Sequence, residues 1–525
     1  MKLHPEFNDL NDPATIINHV EQLVKKNTEI TPHTEILQQL IEQFEPLDFE
    51  LLAFPQVQQL RGKLEELPRE SNEADTLRKQ LEKLKLGRTH YLILSIENTI
   101  YLAEKNRWGL CKNQDFIYLY NSTFWSEIDK EHFQKFLGEA AEQMGVIKFS
   151  SRFYQFREQL FKQFLATAYL PTPESNKDKV LINLLNGTFE ISPQGMKLGA
   201  FDRSDFITYQ LPFTYDPQAE APLFEAYLNK VLPDKERQRV MAEYLGFVFI
   251  KHGSNALKEE KALILYGTGA NGKSVFFEIV NALLGEENVS SYSLQSLTND
   301  NGYFRAKIAN KLVNYASEIN GNLETSIFKQ LVSGEPVEAR LPYGQPFTLK
   351  QYAKLIFNCN ELPKDVEHTN AYFRRFLIIP FDITIPPDEQ DKNLHTKIIE
   401  NELSGVFNWV LEGLNRLLKQ KQFSDCQAAQ KAVEQYKMES DSVQMFLHEN
   451  EYGISATNET ALKSLFSEYQ NYCIESGFKA CSLKTLADRL RNSGYQTNRK
   501  KYGMVVNAEK KFFSKLHHLH HVHPV

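Results

Sequence analysis

Lys261-Ala-Leu-Ile-Leu-Tyr-Gly267-Thr268-Gly269-Ala270-Asn271-Gly272-Lys273-Ser274 is an apolar run that breaks into a glycine-rich loop and ends in Lys-Ser. The pattern predicts a strand, the loop, and then a helix over Val275–Leu284. This is the context that the spacing G-x-x-x-x-G-K-[ST] requires. Glycines let successive backbone N–H groups curl around phosphate oxygens, and the helix N-terminus turns its partial positive charge toward the same anion. In such a loop Gly267 to Gly272 form the cradle, Lys273 reaches the β- and γ-phosphates, and the Ser274 hydroxyl ligates Mg²⁺. A chance match in a turn would lack the strand and the helix. The stretch implies nucleotide binding.

The 525 residues suggest two to four domains, and 42% hydrophobic with 12% aromatic content allows well-packed cores. No apolar run approaches the length needed to cross a bilayer, so no membrane partner is expected and the chain reads as cytoplasmic. Cys111, Cys359, Cys426, Cys473 and Cys481 lack paired spacing and read as reduced thiols. A net charge of −7 argues against a broadly positive surface for DNA. The exception is local: ten Lys/Arg stand against two acidic residues between Phe478 and Lys515.

The predicted organisation starts with helices over residues 1–85, with Leu77–Leu86 as a solvated helix that could alternatively serve as a partner arm. A mixed α+β region follows over 86–252, with strands at Tyr91–Ile96 and Phe116–Tyr120 and with Trp125, Phe133 and Phe136 in helical patterns. Asn186-Gly187 marks a hairpin turn. Pro212, Pro217 and Pro222 punctuate a linker before helices Phe224–Leu232 and Lys235–Ile250. Residues 253–390 alternate strands and helices as a three-layer α/β nucleotide-binding domain with a mostly parallel sheet. A helical continuation (391–447), a compact unit (448–510) and a histidine-rich tail (511–525) complete the chain. The tail is open to readings as metal-binding, tag-like or frayed.

Three strands after the loop supply candidates for chemistry at the γ-phosphate. Lys311–Glu318 ends in an acid, and Glu318 there can hold Mg²⁺ or polarise the attacking water. Ala353–Pro363 ends in amides; Asn360 is favoured over Asn358 as the group that senses the third phosphate. Arg374 and Arg375 precede the apolar run Phe376–Phe381, and either can stabilise the transferred phosphoryl group from a neighbouring subunit, with Arg375 preferred. Between these strands, Val337–Lys350 reads as a hairpin around Pro-Tyr-Gly-Gln-Pro. It could face solvent, or reach a central channel with Tyr343 stacked on a base and Arg340 or Lys350 at phosphates.

In this order the motifs GTGANGKS, KLVNYASE, ARLPYGQPF, KLIFNCNELP and YFRRFLIIPF resemble the superfamily 3 helicases, a branch of the AAA+ ATPases. The nearest resemblance is to the phage/plasmid primase–helicase family, which includes the poxvirus primase–helicase. It extends weakly to FIYLYNSTFWSEID, LINLLNGTFEISPQG and FITYQLPFTYDP ahead of the motor. Behind it, the regions Lys463–Tyr472 and Leu483–Tyr495 are similar to the family's C-terminal winged-helix domain. The resemblance implies a P-loop AAA+ core, ATP and Mg²⁺ at the subunit interfaces of a homohexameric ring, and single-stranded or forked DNA as partner. It also implies Lys273, Ser274, Glu318, Asn360 and Arg375 (or Arg374) as the working set. A single acid, with Ser317 before Glu318, departs from the paired carboxylates of many relatives. No D-x-D occurs ahead of the resemblance, so the expectation is a motor without its own primase, served by a separate primase or initiator. In the C-terminal unit Lys484, Arg489 and Arg491 fall on the polar face of a helix over Leu483–Asn492, and Arg499, Lys500 and Lys501 fall in a β-wing. Both suit duplex DNA phosphates or a protein partner.

Two functional readings stand at this point. One is an ATP-driven helicase replicating a phage, plasmid or integrated element in a bacterial cytosol. The other is a DNA-stimulated ATPase switch, in an initiator or defence protein, without processive unwinding.

Overall fold

The computed structural model describes residues 31–113, 116–168, 178–317, 319, 324–342, 344–363 and 366–510. The expectations placed on residues 1–30, on Glu318 and Tyr343, and on the tail 511–525 lie outside the described residues. The chain divides into two compact units between Thr214 and Tyr215.

In the first unit, helix His33–Gln43 repeats Ile36, Leu37 and Leu40 at helical spacing and buries them in one cluster with Phe133, Phe136 and Phe164. Residues 36–49 of the expected N-terminal arm are thus part of this unit's core. Helix Asn72–Lys83 buries only Ala74, which fits a solvated helix. Tyr91–Ile96 is not a strand: it lies inside the helix Arg88–Lys105, whose buried Ser95, Ile96, Thr99 and Ala103 follow a three-to-four spacing. A short apolar run does not distinguish the two periods by itself. Two three-stranded antiparallel sheets complete the unit: β1 (Gly109–Asn113), β2 (Phe116–Tyr120) and β3 (Trp125–Glu127), then β4 (Val180–Leu184), β5 (Gly187–Ser192) and β6 (Gly195–Gly199). Trp125, expected in a helix, is therefore on a strand, while the hairpin at Asn186-Gly187 forms with Leu184 opposite Gly187.

The second unit is built on a five-stranded parallel sheet in the order β13 (Phe376–Pro380), β7 (Ala262–Tyr266), β12 (Lys354–Cys359), β9 (Val313–Ala316) and β8 (Val289–Ser290). Four residues of β7, Ala262 to Leu265, are fully buried, as a central parallel strand covered on both faces demands. A two-stranded hairpin of β10 (Val337–Arg340) and β11 (Pro346–Leu349) interrupts the series, as the sequence predicts. Helices Pro222–Val231 and Lys235–Phe247, grouped by sequence with the preceding region, belong to this unit. Gly246 and Gly413 let helix Lys235–Phe247 meet helix Leu403–Gln420 backbone to backbone, since a Cβ on Gly413 would lie 2.5 Å from the Ala242 carbonyl.

Beyond helices Gln427–Glu439 and Ser442–Glu449, the C-terminal part joins helices Leu462–Ser476 and Leu483–Asn492 to short antiparallel strands. β15 (Thr460–Ala461), β17 (Gly503–Val506) and β16 (Thr497–Lys500) form one sheet; β14 (Tyr452–Ile454) pairs with β18 (Ala508–Lys510). Their core is Phe446, Leu465, Tyr469, Leu486, Leu490 and Val506. The helix predicted over Leu483–Asn492 forms with those bounds.

At the start of β12, Lys354 is buried with its ammonium 4.2 Å from the centre of the Phe247 ring and 3.0 Å from His252 Nδ1. The His252 Nε2 proton is then free to donate to the Tyr352 carbonyl at 3.1 Å. Burial pulls Lys354 down to about 7. Below pH 7 the folded chain holds a buried charge that the unfolded chain would solvate; the cost fades as pH rises toward the unfolded value, about 10.4. Lys354→Met should raise Tm at pH 6 and give a progressively smaller gain toward pH 10. Thermal melts at pH 6, 8 and 10 test this, and a pH-independent gain would contradict it.

Candidate functional site

The loop after β7 closes over a cleft of about 630 Å³ lined by Gly269 to Val275, Asn358, Asn360 and Ser317, with Tyr227 and Val231 on one wall. The loop is anchored from both sides. Asn271 donates from Nδ2 to the Phe381 carbonyl at 3.1 Å, and the Ala270 carbonyl accepts from the Ile385 N–H at 2.8 Å. Gly272 sits at φ +87°, where a Cβ would also press within 2.7 Å of Val231. Its carbonyl accepts a 2.8 Å bond from the Tyr227 hydroxyl. Tyr227 belongs to helix Pro222–Val231, whose first N–H groups, on Leu223 and Phe224, are held at 3.0 and 2.9 Å by the buried Glu402 carboxylate. Glu402 and Tyr227 are positioning residues for the loop. Neither was legible in sequence, because they lie 130 and 45 residues from Gly272.

Lys273 opens helix Lys273–Leu284 and is buried. Among the described residues its ammonium meets neutral oxygens: the Gly267 carbonyl at 2.6 Å, Asn271 Oδ1 at 3.2 Å and Asn360 Oδ1 at 3.4 Å. Burial lowers its pKa, since desolvation disfavours the charged form. Cys359 does not supply a counter-charge, since burial pushes its thiol up to about 12. A phosphate in the cleft would complete the pairing, so the donor set fits a triphosphate. Ser274 is exposed on the same loop. Lys273 and Ser274 would hold the phosphates and Mg²⁺.

Asn360 stands one residue beyond β12 and reaches Lys273, whereas Asn358 Oδ1 is occupied by the Tyr315 hydroxyl at 3.0 Å. β9 brings Ser317 into the cleft. Its neighbour Glu318 lies outside the described residues.

The two arginines lie at the opposite edge of the sheet. β13 and β7 run parallel with Phe376 beside Ala262, so Arg374 and Arg375 stand near the start of β7, roughly 17 Å of strand away from the loop that follows its end. The structure separates the two arginines by burial. The Arg375 guanidinium is buried, bonded to Ser333 Oγ at 2.8 Å and to the Ala371 carbonyl, and 3.1 Å from Glu260. Arg374 also meets Glu260, at 2.7 Å, but its side chain is 60% exposed. An exposed pair of this kind is worth about 0–1 kcal/mol and is easily exchanged. Arg374 is the more exposed of the two.

The hairpin β10–β11 is fixed at its base by Arg305, which donates to the carbonyls of Glu338 at 2.6 Å, Leu297 at 3.1 Å and Asn299 at 2.5 Å. At the tip, Arg340 Nε binds the Gly344 carbonyl at 2.9 Å. Lys350 is exposed, and Tyr343 lies outside the described residues.

In the C-terminal part, three of the six cations expected at DNA are engaged by carboxylates of the same chain. Arg489 meets Asp441 at 3.1 Å, Arg491 meets Asp488, and Lys500 meets Glu459 at 2.7 Å. Asp441 also caps helix Ser442–Glu449 and lies 3.8 Å from His368, a few residues ahead of Arg374. Arg489 is thus an internal strut. Lys484, Arg499 and Lys501 are exposed, with no ion pair among the described residues.

The sequence matches two family descriptions. Residues 97–233 match "D5 N terminal like", and residues 265–375, from the end of β7 to Arg375, match a family of unknown function, DUF5906. A protein of Acanthamoeba polyphaga mimivirus carrying the name "Putative helicase L207/L206" is 28% identical over 244 residues. That match takes in 43% of this chain and 24% of the relative, so it spans about a quarter of the relative's length. The apo C-terminal region of NrS-1 superposes with a TM-score of 0.45 at 12% identity, over 78% of this chain and 98% of that one. That score is too low to establish a shared fold. The D5-like match and the helicase likeness support a relationship to primase–helicase-like proteins.

Truncating each arginine separates their structural roles. Arg375→Ala should lower the unfolding free energy by about 3 kcal/mol, because Glu260 and the Ala371 carbonyl lose a buried partner. Arg374→Ala should change it by under ~1 kcal/mol. Urea denaturation measures both, and equal effects would contradict the difference in burial.

Proposed function

We propose that this chain is the motor of an ATP-driven DNA helicase acting in replication, working as a hexameric ring with ATP bound where two copies meet. The observation that carries the reading is the buried Lys273 ammonium, ringed by neutral oxygens at the mouth of a cleft large enough for a nucleotide. In this reading Gly267 to Gly272 cradle the phosphates, Lys273 neutralises them, and Ser274 with Glu318 holds Mg²⁺. Asn360, already at Lys273, reports on the γ-phosphate.

The distance of Arg374 from its own loop supports a role in a neighbouring copy's site, where an exposed guanidinium stabilises charge on the transferred group. The hairpin tip with Arg340, Tyr343 and Lys350 is the proposed single-strand contact. The helices and antiparallel sheet of residues 442–510 support reading that part as a winged-helix domain. The D5-like match and the mimivirus likeness support assignment to nucleic-acid replication.

Three measurements test the reading. Lys273→Ala should abolish DNA-stimulated ATP turnover with an unchanged circular dichroism spectrum; undiminished turnover refutes the site. Arg374→Ala should bind ATP yet fail to hydrolyse it, and mixing it with Lys273→Ala subunits should restore part of the activity. Absence of any rescue counts against a shared interface. Finally, the wild type should displace a labelled strand from a forked duplex; ATP turnover without displacement would favour a DNA-stimulated switch instead.

A further inference from the structure

β16 and β17 are joined by a two-residue turn, Lys501-Tyr502, with Lys500 paired to Gly503. Gly503, just after the turn, takes φ +132°, whereas Lys501 and Tyr502 keep negative φ. Tight turns of this kind usually carry small or polar residues. Here an aromatic ring is 76% exposed at the tip, among the most exposed large side chains of the described residues. It makes no ring contact and no hydrogen bond with another described residue. The cations around it are sorted. Lys500 is held by Glu459 at 2.7 Å, while Arg499 and Lys501 on either side of it are exposed and unpaired among the described residues. Met504, 39% exposed, lies directly across the strands from Arg499.

An exposed ring beside two available cations suits a particular ligand. Phosphates need only the cations. An aromatic face needs a base face, and the interior of a stacked duplex presents none. Unpaired nucleotides, and the bases where a duplex opens, do present one.

We propose that Tyr502 at this hairpin tip stacks on an unpaired base at a single-strand/duplex junction, with Arg499 and Lys501 meeting the adjoining phosphates. The inference rests on the nucleic-acid reading above and sharpens it, moving this hairpin from duplex backbone to the fork. With only two flanking cations, phosphate contact alone gives weak and strongly shared affinity for any DNA. Discrimination then comes from the ring.

The test uses the full chain and three oligonucleotide probes of one sequence: a blunt duplex, a forked duplex, and the fork with 2-aminopurine at its first unpaired position. Wild type should favour the fork and change the 2-aminopurine fluorescence. Tyr502→Ala should lose roughly five- to a hundredfold in fork affinity and abolish the fluorescence change, with under about twofold loss on the blunt duplex. Tyr502→Phe should retain both fork properties, since the ring is what stacks. Lys501→Ala should weaken binding to fork and blunt duplex alike. Equal loss on both duplexes in Tyr502→Ala, or no loss, overturns the stacking role while leaving DNA binding intact. A wild type that binds none of the three probes overturns the nucleic-acid reading itself. Tyr502 is exposed, so melting temperatures of the variants should match wild type and keep these outcomes distinct.

Discussion

An ammonium held in the protein interior by three neutral oxygens, its hydrogen-bond partners among the described residues, is the constraint around which the second unit is arranged. Lys273 is fixed by the helix it begins, and its three oxygens come from the loop and from the end of β12. Neutral dipoles orient a cation without cancelling it, so the site keeps its attraction for an anion in a region where the field is poorly screened. That arrangement needs the loop to stand still. Asn271 ties it to the strand beside β7, and Tyr227 ties Gly272 to a helix that Glu402 caps from a distant part of the chain. The fold's contribution to the site is therefore a rigid frame for one buried cation.

A parallel sheet also separates two kinds of chemistry by construction. Every loop that leaves a strand's C-terminal end gathers at one edge, and every residue that precedes a strand gathers at the other. Lys273, Ser317 and Asn360 fall on the first edge; Glu260, Lys354, Arg374 and Arg375 fall on the second. An arginine of the second edge stands a strand's length from the glycine-rich loop of its own chain, and this is the geometric reason for proposing a shared site. Neighbouring positions then divide the work. Arg375 is buried and braces the edge, while Arg374 is solvated.

Much of the site was readable because it is local. The loop Gly267–Ser274 carries its own backbone chemistry, and β7, β9, β12 and β13 announce themselves as short apolar runs punctuated by polar ends. The hairpin β10–β11 and helix Leu483–Asn492 were legible for the same reason, since alternation and helical spacing are properties of a few consecutive residues. Tyr91–Ile96 is helical rather than a strand because five apolar residues in six fit either period, and the partners that settle the matter, among them Phe133 and Phe164, come later in the chain.

What the sequence determined by itself is the phosphate-loop motif, the order of the strands that follow it, and the candidate residues at their ends. The tertiary structure decided which charges remain available. Asp441 holds Arg489 and Glu260 with Ser333 holds Arg375 in largely buried pairs, whereas Arg491 and Lys500 meet Asp488 and Glu459 in exposed ones. It also exposed Tyr502 and brought Tyr227 and Glu402 to the loop. Spacing along a chain reports what a side chain is, whereas ion pairing and burial depend on residues far away in sequence, and only the folded chain brings them together.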